Sequence, residues 1–115
     1  MTEAVTNILF VCTANRLRSP TAQAVFAHRT DIAVRSAGLD PEAPTRLDEA
    51  LLLWAEKIYV MENHHREKIR KKFKKVLGDR PIIVLGIPDE YEFMQPELIA
   101  LLKERLPRYA DGGSL

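Results

Sequence analysis

Apolar residues are distributed along this chain in short blocks whose spacing changes with position. Asn7 to Val11 (NILFV) is a short apolar run, partly β-branched and without alternation, the pattern of a strand covered on both faces. Beyond a polar loop, Ser19 is a suitable N-cap and Pro20 a suitable first helical residue. Ala22, Val25, Phe26 and Arg29 then recur at helical spacing and predict a helix from Pro20 to about Arg29. Ile32 to Arg35 reads as a second strand ended by Ser36-Ala37-Gly38, DPEAPT as a loop, and Leu47 to Ala55 as a second helix. Lys57 to Met61 predicts a third strand. From Glu62 to Leu77 an amphipathic helix carries Ile69, Phe73, Val76 and Leu77 on one face and cations elsewhere, until Gly78 stops it. Pro81 to Leu85 supplies a fourth strand, GIPDEYEF a loop, and Pro96 to Leu106 a last helix, with a flexible tail expected over 108–115. Trp54, Phe73 and Phe93 are spaced as core residues.

Strands alternating with helices predict an α/β fold. The expected arrangement is a single three-layer domain over 1–115, with a four-stranded parallel sheet and helices on both faces. In such sheets ligands bind beyond the carboxyl ends of the strands, which places the loops after the first and fourth strands at the expected site. No internal repeat, low-complexity tract or linker interrupts the pattern. The 115 residues are enough for one core. Their 17 basic and 16 acidic side chains nearly cancel to a net charge of +1, which does not suggest a polyelectrolyte partner for the molecule as a whole. One cysteine excludes an internal disulfide. The N-terminal MTEAVTNILFVC has neither a basic leader nor a long apolar stretch, so a cytoplasmic protein without membrane insertion is expected.

That cysteine, Cys12, ends the first strand. Arg18 follows six positions later and the helix opens directly behind it. A loop at a helix N-terminus, here Thr13, Ala14, Asn15, Arg16 and Leu17, can turn backbone N–H groups onto a tetrahedral oxyanion, and a guanidinium adds a planar fork of donors. The same field favours a thiolate, to which the Ser19 hydroxyl can donate, and Asn15 tolerates the left-handed backbone that tight loops need. A free cysteine usually serves only as a small buried hydrophobe, and Arg six positions after Cys is a weak signal by itself. The order strand, loop, Ser-Pro and helix is what makes it informative. A thiolate attacking phosphorus also needs an acid for the departing oxygen, and the loop after the fourth strand offers Asp89, Glu90 and Glu92. His64 and His65 stand about 100° apart on a helix, a poor geometry for sharing a metal, and read as capping or solvated residues. The cationic run within residues 66–75 reads as a solvated face.

Residues 8–26, ILFVCTANRLRSPTAQAVF, resemble the N-terminal signature of the low-molecular-weight protein tyrosine phosphatase family, whose phosphate loop has the form C-x5-R-S. RSAGL at 35–39 and KIYVMENHH at 57–65 are similar to the family's second and third strands. The resemblance implies that Cys12 is the nucleophile, that Arg18 binds phosphate, that Ser19 favours the thiolate and that Asn15 shapes the loop. It also selects Asp89 as the acid, in the triplet Asp89-Glu90-Tyr91 where Glu replaces the family's proline, and makes Tyr91 an aromatic wall of the pocket.

Four departures stand out. Leu17 occupies the position of a second, protective cysteine, Ala14 that of a common glycine, Arg16 adds a cation at the mouth, and the stretch from Gly38 to Leu51 is shorter than usual. The implied function is phosphomonoester hydrolysis through a phosphocysteine. No metal or other cofactor is expected. The partners would be a phosphotyrosyl protein or small aryl phosphate, with phosphate or vanadate as ligands, no membrane, and nucleic acid disfavoured. The alternatives are arsenate reduction with an external thiol, or a non-catalytic phosphate- or nucleic-acid-binding module.

Overall fold

Strand β1 (Thr6–Cys12) is the centre of the architecture, and the reason lies in its composition. Ile8, Leu9, Phe10 and Val11 are all completely buried, which requires neighbours on both edges and layers on both faces. The structure is a computed structural model that describes residues 5–110. In it β1 pairs in parallel with β2 (Ile32–Gly38), from Thr6 opposite Ile32 to Cys12 opposite Gly38. On its other edge β1 pairs in parallel with β3 (Lys57–Val60), which in turn pairs with β4 (Ile82–Val84). The sheet order is therefore β2-β1-β3-β4.

Alternation along β1 divides the interior into two cores. Ile8, Phe10 and Cys12 join Phe26, Tyr59, Leu98, Leu102 and Tyr109 on one face. That face is covered by α1 (Arg18–Phe26), α5 (Pro96–Arg105) and α6 (Pro107–Ala110). Leu9 and Val11 join Leu52, Ile58, Ile69, Phe73 and Leu77 on the other, beneath α2 (Glu49–Trp54), α3 (Asn63–Lys72) and α4 (Lys74–Leu77). The expected class, a four-stranded parallel sheet between helical layers, is the one observed.

Several boundaries differ from those expected, each for a tertiary reason. Ser36, Ala37 and Gly38 continue β2 instead of ending it, because they pair with Phe10, Val11 and Cys12. The long amphipathic helix breaks at Phe73 (φ −117°, ψ 31°), and Phe73 itself enters the second core together with Ile69 and Leu77 on either side of the break. Phe93 is not a core residue. It is 52% exposed, in a loop fastened to α1 by the Met94 N–H donating to Thr21 Oγ1 at 2.9 Å. Trp54 is only partly buried and stacks under the Arg35 guanidinium, 4.4 Å from its ring centroid. The expected loose tail does not begin at 108. Tyr109 is buried edge-on against Phe26, with centroids 6.2 Å apart, and the rest of that tail, residues 111–115, lies outside the described residues. Among the described residues no helix is long and apolar enough to cross a membrane.

Candidate active site

The loop of residues 13–17 leaves the carboxyl end of β1, curls, and feeds directly into α1. Its outer side is sealed to the segment after β2, where Leu39 N–H donates to the Cys12 carbonyl (3.1 Å) and Asp40 N–H to that of Thr13 (2.9 Å). Gly38 makes this approach sterically feasible. A Cβ there would lie 2.7 Å from the Thr13 carbonyl oxygen, 2.8 Å from Ala43 Cβ and 2.9 Å from the Asn15 nitrogen. No side chain caps the N-terminus of α1, whose first N–H groups remain available to an anion.

Asn15 organises the interior of the loop from a left-handed backbone (φ 55°). Its Nδ2 donates to Ser19 Oγ (2.9 Å) and Ser36 Oγ (3.0 Å), and its Oδ1 accepts from Thr45 N–H (3.1 Å). Ser19 is not the N-cap expected from its position. The helix starts two residues earlier than expected, at Arg18, and Ser19 points inward to Cys12 Sγ at 2.9 Å. Ser19 Oγ accepts from Asn15, and with the sulfur as thiolate the contact at 2.9 Å can be made only by the Ser19 hydrogen, for which the Ala37 carbonyl at 3.4 Å is a longer alternative. The Asn15 N–H also donates to Sγ, at 3.2 Å. Two donors thus converge on a sulfur whose residue is 3% exposed, an arrangement suited to holding a thiolate.

Arg18 is just as enclosed. Its Nη1 donates to Glu62 Oε1 (2.5 Å) and to the Ile87 carbonyl (2.8 Å), while its Nε lies 3.7 Å from Asp89 Oδ1. Two acceptors on one nitrogen fix the guanidinium plane, and the Nε edge is turned to Asp89. The hydrogen bond from Arg18, reinforced by its charge, holds the Glu62 carboxyl below its ordinary range. Glu62 also closes the start of α3 with His65: its backbone carbonyl accepts from the His65 N–H at 3.1 Å, and its own N–H donates to His65 Nδ1 at 3.0 Å. That bond places the imidazole proton on Nε2, which therefore donates to Thr13 Oγ1 at 2.8 Å. Burial, and next the neighbouring His64 and Arg18, push the His65 pKa down to about 3, so the ring is neutral at ordinary pH.

A pocket of about 170 Å³ opens over the sulfur, lined by Cys12, Ala14, Arg16, Leu17, Arg18 and Asp89. Thr13, Asn15 and Ser19 stand behind this lining and position it. Asp89 is well exposed at the rim, and Glu90 and Glu92 are exposed farther along the loop. Tyr91, expected as a wall, is partly buried against the first core and does not line the pocket. Glu62, Ser36 and Gly38 had no site role assigned in the sequence, and His65, read there as a capping or solvated residue, bonds the Glu62 N–H at the start of α3 but is completely buried. Their only signal was position, at or just beyond the carboxyl ends of the two strands that flank β1.

The His64 and His65 rings lie closer than helical spacing suggests, with centroids 4.1 Å apart. Together with Glu62 they bring three ligand atoms within 4.8 Å of one another. Both His65 nitrogens and the Glu62 carboxylate are already engaged, so this cluster is built to hold Arg18 and Thr13 rather than an ion.

Comparison with known proteins agrees with this geometry. Residues 7–84 match the sequence profile of the family described as low molecular weight phosphotyrosine protein phosphatase. No protein with a curated description matches the chain. Among solved structures, the tyrosine phosphatase Wzb from Escherichia coli, in complex with phosphate, superposes with a TM-score of 0.74 at 22% identity, over 96% of this chain and 99% of that one. Tyrosine phosphatase AmsI from Erwinia amylovora gives 0.73 at 20% identity, over 96% and 95%. The YwlE arginine phosphatase from Geobacillus stearothermophilus gives 0.68 at 23%, over 93% and 89%. At these identities the superpositions establish a shared fold.

Proposed function

Since this chain belongs to the low molecular weight phosphotyrosine protein phosphatase family, we propose that it hydrolyses aryl phosphomonoesters, phosphotyrosyl residues foremost, with Cys12, Arg18 and Asp89 as the reacting and binding groups. The carrying observation is that Cys12 Sγ, with donors from Ser19 at 2.9 Å and Asn15 at 3.2 Å, shares one small pocket with Arg18 and Asp89.

The sulfur lone pair attacks phosphorus in line with the leaving oxygen, forming S–P as P–O breaks. The loop N–H groups and the Arg18 guanidinium hold the equatorial oxygens while charge redistributes. Asp89 gives its proton to the departing phenolate oxygen. In the second half a water loses a proton to the same carboxylate, its oxygen attacks phosphorus, and the S–P bond breaks to return the thiolate and release phosphate. Asp89 Oδ1 lies 3.7 Å from Arg18 Nε, so the acid stands beside the guanidinium that would hold the phosphate, on the side of the leaving oxygen.

The test is turnover of p-nitrophenyl phosphate, a phosphotyrosyl peptide and a phosphoarginyl peptide by wild type and Cys12→Ser, with acid-quenched wild type digested and analysed by mass spectrometry. A phosphoryl adduct on the Cys12 peptide, together with an inactive Cys12→Ser, is expected. Turnover that survives Cys12→Ser would overturn the assignment, and a preference for phosphoarginine would move the substrate class.

A further inference from the structure

Charge is distributed very unevenly over this chain. Seven of the ten residues from Arg66 to Lys75 are Lys or Arg against one acid, Glu67, so the segment carries a formal +6 within a chain of net +1, and the remainder carries −5. The fold places part of this charge beside a concavity. Leu39, Leu47 and Phe73 line a trough of about 280 Å³ together with Lys68, Lys71 and Lys72. The three lysines stand at i, i+3 and i+4 on α3 and therefore share one helix face. Among the described residues no ion pair joins any of them to an acid. Leu39 and Lys68 also line an adjoining hollow of about 320 Å³ that reaches Asp40, Pro41 and Thr13, the residue next to Cys12. A continuous path thus runs from the edge of the phosphate loop to a basic trough with an apolar floor.

Building on the phosphatase reading, we propose that this trough docks an acidic polypeptide segment bearing an apolar side chain, located in the substrate near its phosphorylated residue. The apolar floor argues for a peptide over a sugar-phosphate backbone, which has nothing to place against Leu39, Leu47 and Phe73. The charge argues for carboxylates on either side of the apolar contact. Asp40 at the catalytic end repels an acid placed directly beside the phosphoresidue, whereas the hollow beyond Lys71 and Lys72 adds Lys74 and Lys75 against the single Glu49 and extends the basic surface away from the catalytic end. The carboxylates of the partner therefore fall away from Asp40, opposite Lys68, Lys71 and Lys72.

The experiment uses phosphotyrosyl peptides with three flanks, placed N-terminal or C-terminal to the phosphotyrosine: acidic with a leucine, the same with Leu changed to Ser, and neutral Gly/Ser. These are assayed with wild type and with the triple variant Lys68→Glu, Lys71→Glu, Lys72→Glu, whose changes are on exposed side chains. The acidic, leucine-bearing flank should raise kcat/KM roughly tenfold over the neutral flank, the combined effect of a few exposed charge pairs and one covered apolar side chain. The Ser flank should recover only part of that gain. The triple variant should lose the gain while hydrolysing p-nitrophenyl phosphate at the wild-type rate. Equal kcat/KM for all flanks, or an undiminished gain in the triple variant, overturns the proposal. Binding of the unphosphorylated acidic, leucine-bearing peptide, read by fluorescence anisotropy, separates this outcome from a failure of the catalytic reading: docking requires binding to wild type and none to the triple variant even if no phosphate is released. Displacement of that peptide by oligo-dT, with no dependence on the leucine, would overturn it in favour of nucleic acid.

Discussion

The buried imidazole behind the phosphate loop makes a quantitative claim about stability. His65 is completely buried, its Nδ1 accepts the Glu62 N–H and its Nε2 donates to Thr13, so protonating it would place a second hydrogen where a donor already points. Its pKa in the fold is pushed down to about 3, against an ordinary value of 6.5. A group with a depressed folded pKa binds fewer protons folded than unfolded between those values. Its contribution is therefore complete above the unfolded pKa and is lost as pH falls toward the folded one. Each pH unit in that window is worth about 1.4 kcal/mol, so from pH 7 to pH 4.5 this ring alone accounts for roughly 2 to 3 kcal/mol. That is a large part of the about 5 to 15 kcal/mol typical of a domain. His65→Gln keeps a donor able to reach Thr13 but cannot titrate. Urea unfolding at a series of pH values, followed through the single tryptophan, Trp54, measures both proteins. The variant is expected to be less stable at pH 7, because it loses the acceptor for Glu62 N–H, and to show a flatter decline on acidification. Since the carboxylates are common to both, the difference between the two curves isolates the histidine. Parallel curves between pH 7 and pH 4.5 would refute the argument.

Asp89→Asn should slow phosphocysteine formation little with p-nitrophenyl phosphate but about a hundredfold with phenyl phosphate, as a lost general acid does. Burst-phase rates across a series of aryl phosphates decide this, and equal losses throughout would assign the proton elsewhere. Arg18→Lys should retain the far-ultraviolet spectrum of the wild type yet lose roughly a hundredfold or more in kcat/KM, because an ammonium cannot satisfy Glu62 and Ile87 and still offer a planar edge to phosphate. Near-normal turnover would make the arginine structural. Gly38→Ala should cost about 1 to 3 kcal/mol in urea unfolding and depress kcat/KM, since two of the three atoms it meets, the Thr13 carbonyl oxygen and the Asn15 nitrogen, are backbone of the phosphate loop. Wild-type stability and turnover would mean that the loop yields without cost.

Local patterns carried the secondary structure and the nucleophile. Ile8 to Val11 is apolar at every position and reads as a strand covered on both faces, and a cysteine, an arginine six residues on and a Ser-Pro helix start lie within a dozen residues, so their conjunction could be read without a fold. The likeness of residues 8–26 to a known family rested on that same compact stretch. What supports those residues was not legible, because it comes from far along the chain. Arg18 meets Glu62 across 44 positions and Ile87 across 69, and Thr13 meets His65 across 52. These contacts exist because the sheet order β2-β1-β3-β4 puts β1 between β2 and β3, with the chain ends of all three on one side. The same order turned Ser19 from a helix cap into a donor to sulfur, kept Ser36 to Gly38 in a strand, and left Phe93 in solvent while Tyr91 packed on the core. A short segment encodes its own periodicity and turn chemistry; which distant segment satisfies its buried polar atoms is decided only when the sheet closes around it.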